Sequence, residues 1–460
     1  MRLAFWLLAL VGFLVAKSPT FTDPPYWDSN FNVLQARFIA EHSFDRQVYR
    51  AAISPLKPVL FTGTVAAVLR WTYGSMVAVH VLITLLVLIL WPGIVALVGE
   101  LAGPARAGPL AVLLCTVAPL TFAQAGLVQA DLAVAAFATW AWVWLLRGRI
   151  GLYALFCAAA ILCKESGYFL CVPSALYLWL RHRQIQPARR WHLGALLRAL
   201  WPAAIPGLLL FGWLGFLQWV IGDAIPQANR DAFKPGYLLD ALLHSLVEGG
   251  RLPIVILACA AVWGKHGQRT PARLATLSLA LALPLLFPAP LPRYMLPSLP
   301  PLCALAALGL WQFAPRRRVM WATAITAALI VSWSAEPWHS EGGHHLDSDL
   351  IYRRLLKVQK DAAEALYAER PRLVLAGYPM VNALRNPPAD HWLPAPVPHE
   401  VASGNETLAE LCKFDFIVEA SQSAPLTADF DRLRAAHALV PWRSFGGSGR
   451  EVWIYRIFCP

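Results

Sequence analysis

What most constrains this chain is a ladder of apolar runs, most of them approaching the roughly 20 residues that a helix needs to cross a hydrocarbon core, with short arginine-bearing loops between them. The first run, LAFWLLALVGFLVAK after Met1-Arg2, has the charged start and apolar core of a signal peptide. No small-residue cleavage site follows, so it reads as an uncleaved first span with its N-terminus inside. Later runs fall at about Ser75 to Leu101, Ala107 to Phe122, Asp131 to Leu146, Ile150 to Cys163, Tyr168 to Leu180, Leu197 to Ile221, Leu252 to Trp263, Leu274 to Leu286, Tyr294 to Phe313 and Val319 to Trp333. The expected fold is therefore mainly α, a polytopic bundle of about 11 spans. Composition agrees, because 58% of the residues are hydrophobic and only 14% charged, against about 25% charged in a soluble domain.

A net charge of +12 would suit a nucleic-acid binder, but its placement argues for a membrane instead. Counting from an inside N-terminus, alternate loops carry Arg106, then Arg147 and Arg149, then Arg181, Arg183, Arg189, Arg190 and Arg198, then Lys265, Arg269 and Arg273, then Arg316, Arg317 and Arg318. Short basic loops mark the cytoplasmic face, and all of these fall on one side. The other side receives the long loop of residues 18–74, the turn from Gln124 to Asp131, Lys164-Glu165-Ser166, the loop from Gly222 to Arg251, and the stretch from Pro288 to Tyr294. Charges near hydrocarbon are costly and persist where they line a wet or substrate-filled cavity, so these segments are expected to build one outward-facing polar site.

Beyond residues 1–333 the texture changes, and residues 334–460 read as a small soluble α/β domain on the outer side. Asp349 to Tyr367 has the apolar spacing of an amphipathic helix. Arg372 to Gly377 and Phe414 to Glu419 read as strands, and Arg443 to Phe445 with Glu451 to Ile457 as a hairpin about Gly446-Gly447-Ser448-Gly449. Of eight cysteines, Cys115, Cys157, Cys163, Cys171, Cys259 and Cys303 sit in apolar runs, where cysteine behaves as a small hydrophobe. Only Cys412 and Cys459 lie where a disulfide is to be considered. His344-His345 with Asp347 and Asp349 lack the spaced partners of a metal site, and Asn405-Glu406-Thr407 matches a glycosylation triplet that also arises by chance.

The long first loop carries the chemistry. It holds Asp23 and Asp28, the aromatic pair Tyr26 and Trp27, a helical run from Asn30 to His42, the cations Arg46 and Arg50 with Tyr49, and Lys57 wedged at Ser54-Pro55-Leu56-Lys57-Pro58. Pro58 fixes the backbone beside Lys57. A carboxylate and a lysine in one outer loop supply what sugar transfer from a lipid phosphate needs, a base for the acceptor hydroxyl and a cation for the departing phosphate.

Taken in order, the first-loop acid, Ala36-Arg37-Phe38-Ile39-Ala40-Glu41-His42, Lys57-Pro58-Val59-Leu60, Ala130-Asp131-Leu132, Cys163-Lys164-Glu165-Ser166 and Pro292-Arg293-Tyr294-Met295-Leu296-Pro297 resemble the GT-C integral-membrane glycosyltransferases. The nearest branch is the dolichyl-phosphate-mannose-protein mannosyltransferases and the bacterial aminoarabinose (lipid A) transferases. The resemblance covers residues 1 to about 315 and rests on several motifs in order rather than on one. It implies Asp28 as the base, Lys57 and Arg293 as ligands of the donor phosphate, and Asp131 as a second-loop acid that positions acceptor or donor sugar. It departs from the family where Trp27-Asp28-Ser29 lacks the usual second acid, leaving Asp23 as a competitor, and where Lys-Pro-Val-Leu stands for Lys-Pro-Pro-Leu.

Each residue also has a plainer reading. Lys57 near the membrane can snorkel to headgroups, Asp131 can cap its helix, Lys164 and Glu165 can pair with each other, and Arg293 can anchor an interface. Tyr26, Trp27 and Tyr294 suit stacking on a sugar. The implied partners are a polyprenyl-phosphate-linked sugar, an acceptor that is lipid, glycan or protein, and membrane lipid, with no nucleic acid. No cofactor is required, and a divalent cation stays open. The location implied is a bacterial inner membrane, with the site and C-terminal domain periplasmic. Two other classes remain. A transporter or flippase would place ionisable groups at mid-span and break its helices in repeated halves, and a glycan ligase or polymerase would centre on a large late outer loop.

Overall fold

The computed structural model describes residues 2–23, 28–42, 59–101, 104–185, 193–221, 242, 246–263, 270–286, 292–333, 351–377, 380–385, 393–402, 408–420, 439–447 and 450–458. The chain forms two compact units. One comprises Met1–Ser18, Phe31–Ser340 and His344–Leu350, and the other Pro19–Asn30, Glu341–Gly343 and Ile351–Pro460. The chain is mainly helical with one small sheet.

The helical elements of the first unit, in chain order, are α1 (Arg2–Lys17), most of α2 (Asp28–His42), α3 (Val59–Trp71), α4 (Met76–Glu100), α5 (Ala107–Val117), α6 (Pro119–Gly126), α7 (Asp131–Leu146), α8 (Ile150–Cys163), α9 (Cys171–Ile185), α10 (Leu193–Leu200), α11 (Ile205–Ile221), α12 (Leu252–Trp263), α13 (Thr270–Leu286), α14 (Leu299–Leu310) and α15 (Pro315–Val331). Among the described residues two stretches are long and apolar enough to cross a membrane, α4 with 25 residues and Leu193–Val220 with 28. The pair α5 and α6, bent by 65°, makes a third if it forms one span. That defines a multi-pass membrane protein, but falls short of the expected 11 or so full-length spans, since the other apolar helices have 10–17 residues.

The shortfall has a local cause, because apolar character does not guarantee an unbroken helix. The run Ala107 to Phe122 breaks at Ala118, which is extended (φ −61°, ψ 131°) because Pro119 pushes the residue before it out of the α region. The runs beginning at Tyr168 and Tyr294 open as 3-10 turns, Glu165–Leu170 and Pro292–Ser298. Inside residues 18–74, where the sequence leads one to expect a loop, Val59–Trp71 is instead an apolar helix that buries Phe61, Val65, Ala66 and Leu69.

Polar ties between helix ends sort this unit into two rims. On one, Arg147 at the end of α7 pairs with Glu100 at the end of α4 at 2.8 Å. There too Arg273, near the start of α13, donates to the carbonyls of Leu101 and Ala261, and Gln312 after α14 donates to Ala260 at 3.2 Å. On the other, Lys17 at the end of α1 donates to the His80 carbonyl (2.9 Å) and Thr84 Oγ1 (2.6 Å) near the start of α4. Trp333 after α15 donates to the Val117 carbonyl at the end of α5, at 2.7 Å, and Ser332 to the Gly249 carbonyl ahead of α12, at 3.2 Å. The helices joined by these ties alternate in direction, and the basic loop ends lie at the first rim.

Close packing of α12 on α14 depends on Gly309, where a Cβ would run into the Leu257 carbonyl oxygen and the backbone beside it. Neither partner is a flexible side chain, so the helices would have to separate. Gly309→Ala is expected to destabilise the protein by about 1–3 kcal/mol, the usual cost of overpacking, measured as a lowered thermal midpoint of the detergent-purified protein.

In the second unit, α16 (Ile351–Glu369) leads to β1 (Val374–Ala376), α17 (Met380–Arg385), β2 (His399–Val401), α18 (Leu408–Leu411), β3 (Phe416–Ala420), β4 (Leu439–Gly447) and β5 (Arg450–Ile457). The sheet order is β2-β1-β3-β5-β4. The β1 strand runs parallel to β2 and β3, while β5 is antiparallel to β3 and β4. Alternation along the strands splits the core. Val374, Ala376, Phe416, Val418 and Ile454 pack with Ala362, Ala363 and Leu366 of α16, and Leu375, Ile417 and Tyr455 pack with Leu411 and Phe414 on the other face. The expected hairpin pairs Arg443 with Ile454 and Phe445 with Val452, past a register shift between Pro441 and Arg443. Asp415 anchors the lead into β1 by accepting from the backbone N–H and guanidinium of Arg372, a pairing that holds its carboxyl below the usual aspartate range. Cys412 is disulfide-bonded, while Cys115, Cys157, Cys163, Cys171, Cys259 and Cys303 are free thiols. Cys459 lies outside the described residues.

Candidate functional site

Three segments far apart in sequence bring Asp131, Lys164, Arg293 and Tyr294 together at the end of α7 opposite Arg147. Asp131 is the first residue of α7 and is 3% exposed. It does not cap the helix. The cap position belongs to Ala130, which is already in the α region (φ −73°, ψ −16°) and makes no side-chain cap bond. The carboxylate turns instead to Lys164, whose Nζ donates to Oδ1 at 2.6 Å.

Lys164 is placed by the end of α8. There the backbone becomes extended (φ −161°, ψ 138°), and its N–H still closes onto the Ala160 carbonyl. The 3-10 turn Glu165–Leu170 then folds back so closely that a Cβ on Gly167 would stand 2.9 Å from backbone atoms of Ala160 and Ile161. Glycine is the residue this approach admits. Burial is the largest influence and works against the charge of Lys164, but the Asp131 carboxylate, with Tyr294 and Glu165 adding to it, holds the amine above its ordinary value. Lys164 is thus paired with Asp131, and Glu165 also supports its charge.

Arg293 lies in the 3-10 turn Pro292–Ser298 ahead of α14 and is 3% exposed, so it is not an interfacial anchor. Its Nε stands 4.0 Å from Asp131 Oδ2, a loose ion pair. Tyr294 presents its ring to both cations, with Lys164 Nζ 3.6 Å and Arg293 Cζ 5.3 Å from the centroid. One carboxylate, one aromatic face and two cations are thus held in a water-poor corner, where cation–π and ionic interactions gain strength.

Asp28 opens α2, but its side chain, with all of Tyr26, Trp27 and Lys57, lies outside the described residues, as do Arg46, Tyr49, Arg50, His344, His345 and Asn405. Asp23 pairs with Arg353 at 2.7 Å. Among the described residues no group of three or more His, Cys, Asp or Glu is placed to hold a metal. Two residues escaped sequence reading. Asn32, one turn beyond Asp28 on α2, donates to the Val128 carbonyl at 2.8 Å and so ties α2 to the turn that delivers Asp131. Lys17 had merged into the end of an apolar run. Between α2 and α3 an apolar groove of about 620 Å³ is lined by Ile39, Ala40, Gly63, Ala66 and Ala67 and ends at Arg70 and Trp71.

The chain thus presents a helical body with an acid between two cations at one rim, followed in sequence by a small mixed sheet. No family model and no curated protein matches the sequence. Among solved structures, the chain is similar to ArnT from Cupriavidus metallidurans bound to undecaprenyl phosphate, with a TM-score of 0.60 and 14% identity over 98% of this chain and 97% of that one. It is similar to the same protein in the apo state, with a TM-score of 0.58 and 13% identity over 99% and 98%. The Archaeoglobus fulgidus oligosaccharyltransferase follows at a TM-score of 0.49 and 11% identity, over 90% of this chain and 70% of that one. The first two likenesses show that the chain shares the fold of that ArnT over nearly its whole length.

Proposed function

We propose that this protein is a membrane glycosyltransferase that moves a sugar from a polyprenyl-phosphate donor to an acceptor hydroxyl on the outer face of a bacterial inner membrane. The observation that carries the proposal is the buried Asp131–Lys164–Arg293 cluster with Tyr294 against it. Breaking a glycosyl-phosphate bond leaves charge on the departing phosphate, and preorganised cations in a water-poor corner stabilise that charge without reorganising. Lys164 and Arg293 take this role, joined by Lys57 on the strength of the family resemblance. Asp131 holds the two cations and orients sugar, and Tyr294 offers a stacking face. Asp28 takes the acceptor proton, and Tyr26, Trp27 and Glu165 serve the sugar.

The solved ArnT structure of the same fold holds undecaprenyl phosphate, and the groove ending at Arg70 has the apolar walls and cationic end that an isoprenoid chain with an anionic head would fit. Outward placement of the cluster is supported by the arginines of the opposite rim, which the positive-inside rule assigns to the cytoplasm. The disulfide at Cys412, a bond of oxidising compartments, suits an extracytoplasmic C-terminal unit. A transporter is the weaker reading. Among the described residues the buried charges Lys17, Asp131, Arg251, Arg273 and Arg293 all lie at or beyond helix ends rather than mid-span.

Binding of undecaprenyl phosphate to the purified protein tests the cluster. Lys164→Ala and Arg293→Ala are each expected to weaken it by about 10- to 100-fold, as loss of a charged hydrogen bond implies. Wild-type affinity in both variants, with thermal midpoints unchanged, would remove the cluster from the donor site.

A further inference from the structure

One side chain of the C-terminal unit reaches 330 residues back in sequence to the segment that leads into α2. Arg353, near the start of α16, donates from Nε to Asp23 Oδ2 at 2.7 Å and from Nη2 to Asp23 Oδ1 at 3.2 Å. The same Nη2 donates to the Pro19 carbonyl at 3.1 Å. The guanidinium thus grips the 3-10 turn Ser18–Thr22 near both ends, the turn into which α1 runs. Asp23 keeps 15% of its side chain exposed and Arg353 35%, and the neighbouring Tyr352 is fully buried.

A bidentate guanidinium–carboxylate pair fixes direction as well as distance. With Asp23 largely shielded from water, the pair is worth more than the near-zero of an exposed surface bridge. Five residues beyond Asp23 the chain enters α2 at Asp28. Placement of a catalytic group to within an ångström is worth up to about 100-fold in rate, so a tie five residues ahead of Asp28 bears on the reaction.

We propose that Arg353 is a positioning residue for catalysis: by clamping the turn Ser18–Thr22 it sets where α2 begins and so where Asp28 is held, which gives the C-terminal unit a part in the reaction. This rests on Asp28 being the base. The pairing is local to one compact unit, which contains Pro19–Asn30 as well as Ile351–Pro460, so the clamp belongs to the architecture of that unit.

The test uses the full-length protein and three readouts: amide hydrogen exchange of residues 18–42, undecaprenyl phosphate affinity, and the glycosylated envelope product measured by mass spectrometry. Arg353→Ala is expected to speed exchange over residues 18–32, leave undecaprenyl phosphate affinity within about twofold, and lower product by about 10-fold. Exchanging the partners, Asp23→Arg with Arg353→Asp, is expected to restore both protection and product, whereas Arg353→Lys, which loses the fork, restores little. Unchanged exchange in Arg353→Ala, or faster exchange with undiminished product, overturns the proposal. So does a partner exchange that recovers thermal stability but not product. Failure of the assignment on which this rests, Asp28 as base, shows separately, as wild-type product in Asp28→Asn with Arg353 intact.

Discussion

Asp131→Asn is expected to cut glycosyl transfer by at least about 100-fold and to make undecaprenyl phosphate binding depend on pH. Asparagine fills the same space, so the loss is one of charge. In the native protein Lys164 donates to the Asp131 carboxylate at 2.6 Å while Arg293 waits at 4.0 Å, with Asp131 and Arg293 buried and the Lys164 side chain 15% exposed. Removing one partner of such an arrangement costs about 3–5 kcal/mol, because buried charges are left without compensation. Burial already opposes the charge on Lys164, and the carboxylate is the largest influence against it. Once that is gone, the amine falls below its ordinary value. A lysine with a lowered pKa is charged below that pKa and loses its charge as pH rises through it. Affinity of the variant should therefore decline with rising pH below the ordinary lysine range, whereas the native site, its lysine held above the usual value of about 10.4, should vary little there. A variant with the native pH profile would show that Asp131 is not what keeps Lys164 charged.

The sequence was most readable where an apolar run stops at a charge. The α7, α8 and α12 helices have the limits expected of them, because Asp131, Arg147, Lys164 and Arg251 bracket uninterrupted apolar stretches. The β4–β5 hairpin was legible because its turn glycines separate two apolar strands. What failed was continuity within runs: Pro119 and the 3-10 turns at Glu165 and Pro292 divide segments that a count of apolar residues joins. The three-residue edge strand β2, with one partly buried and two exposed residues, carried no alternation to detect.

The candidate site divides along the same line. Asp131, Lys164 and Arg293 were each visible as a polar residue at the end of an apolar segment. Their convergence was not, because it arises from the packing of α8 and the 3-10 turn before α14 against α7. Local rules pointed the wrong way for two of them. An aspartate at a helix start suggests a cap, and adjacent Lys164 and Glu165 suggest a pair, yet a long-range partner took both Asp131 and Lys164. Asn32 and Arg353 had no sequence signal at all, since a polar side chain on an amphipathic helix looks the same whether it meets water or a distant backbone.

The largest effect on the reaction is expected from Asp28→Asn. A positioned general base contributes about 10²- to 10⁴-fold, and an amide of the same shape cannot take a proton, so transfer should fall by about three orders of magnitude. Asp28 is the first residue of α2. The helix itself should survive, because Val33, Ala36 and Ile39 are buried and Asn32 remains bonded to Val128. Asparagine is also among the residues best tolerated at a helix start. Undecaprenyl phosphate affinity should stay near the native value, which separates this variant from Asp131→Asn, where binding and turnover fail together. Asp28→Glu, which keeps the carboxylate but moves it by one methylene, should recover part of the lost rate. Turnover in Asp28→Asn within a few-fold of the native protein would assign the base to another residue, and native turnover in Asp131→Asn as well would take the chemistry away from this end of the bundle.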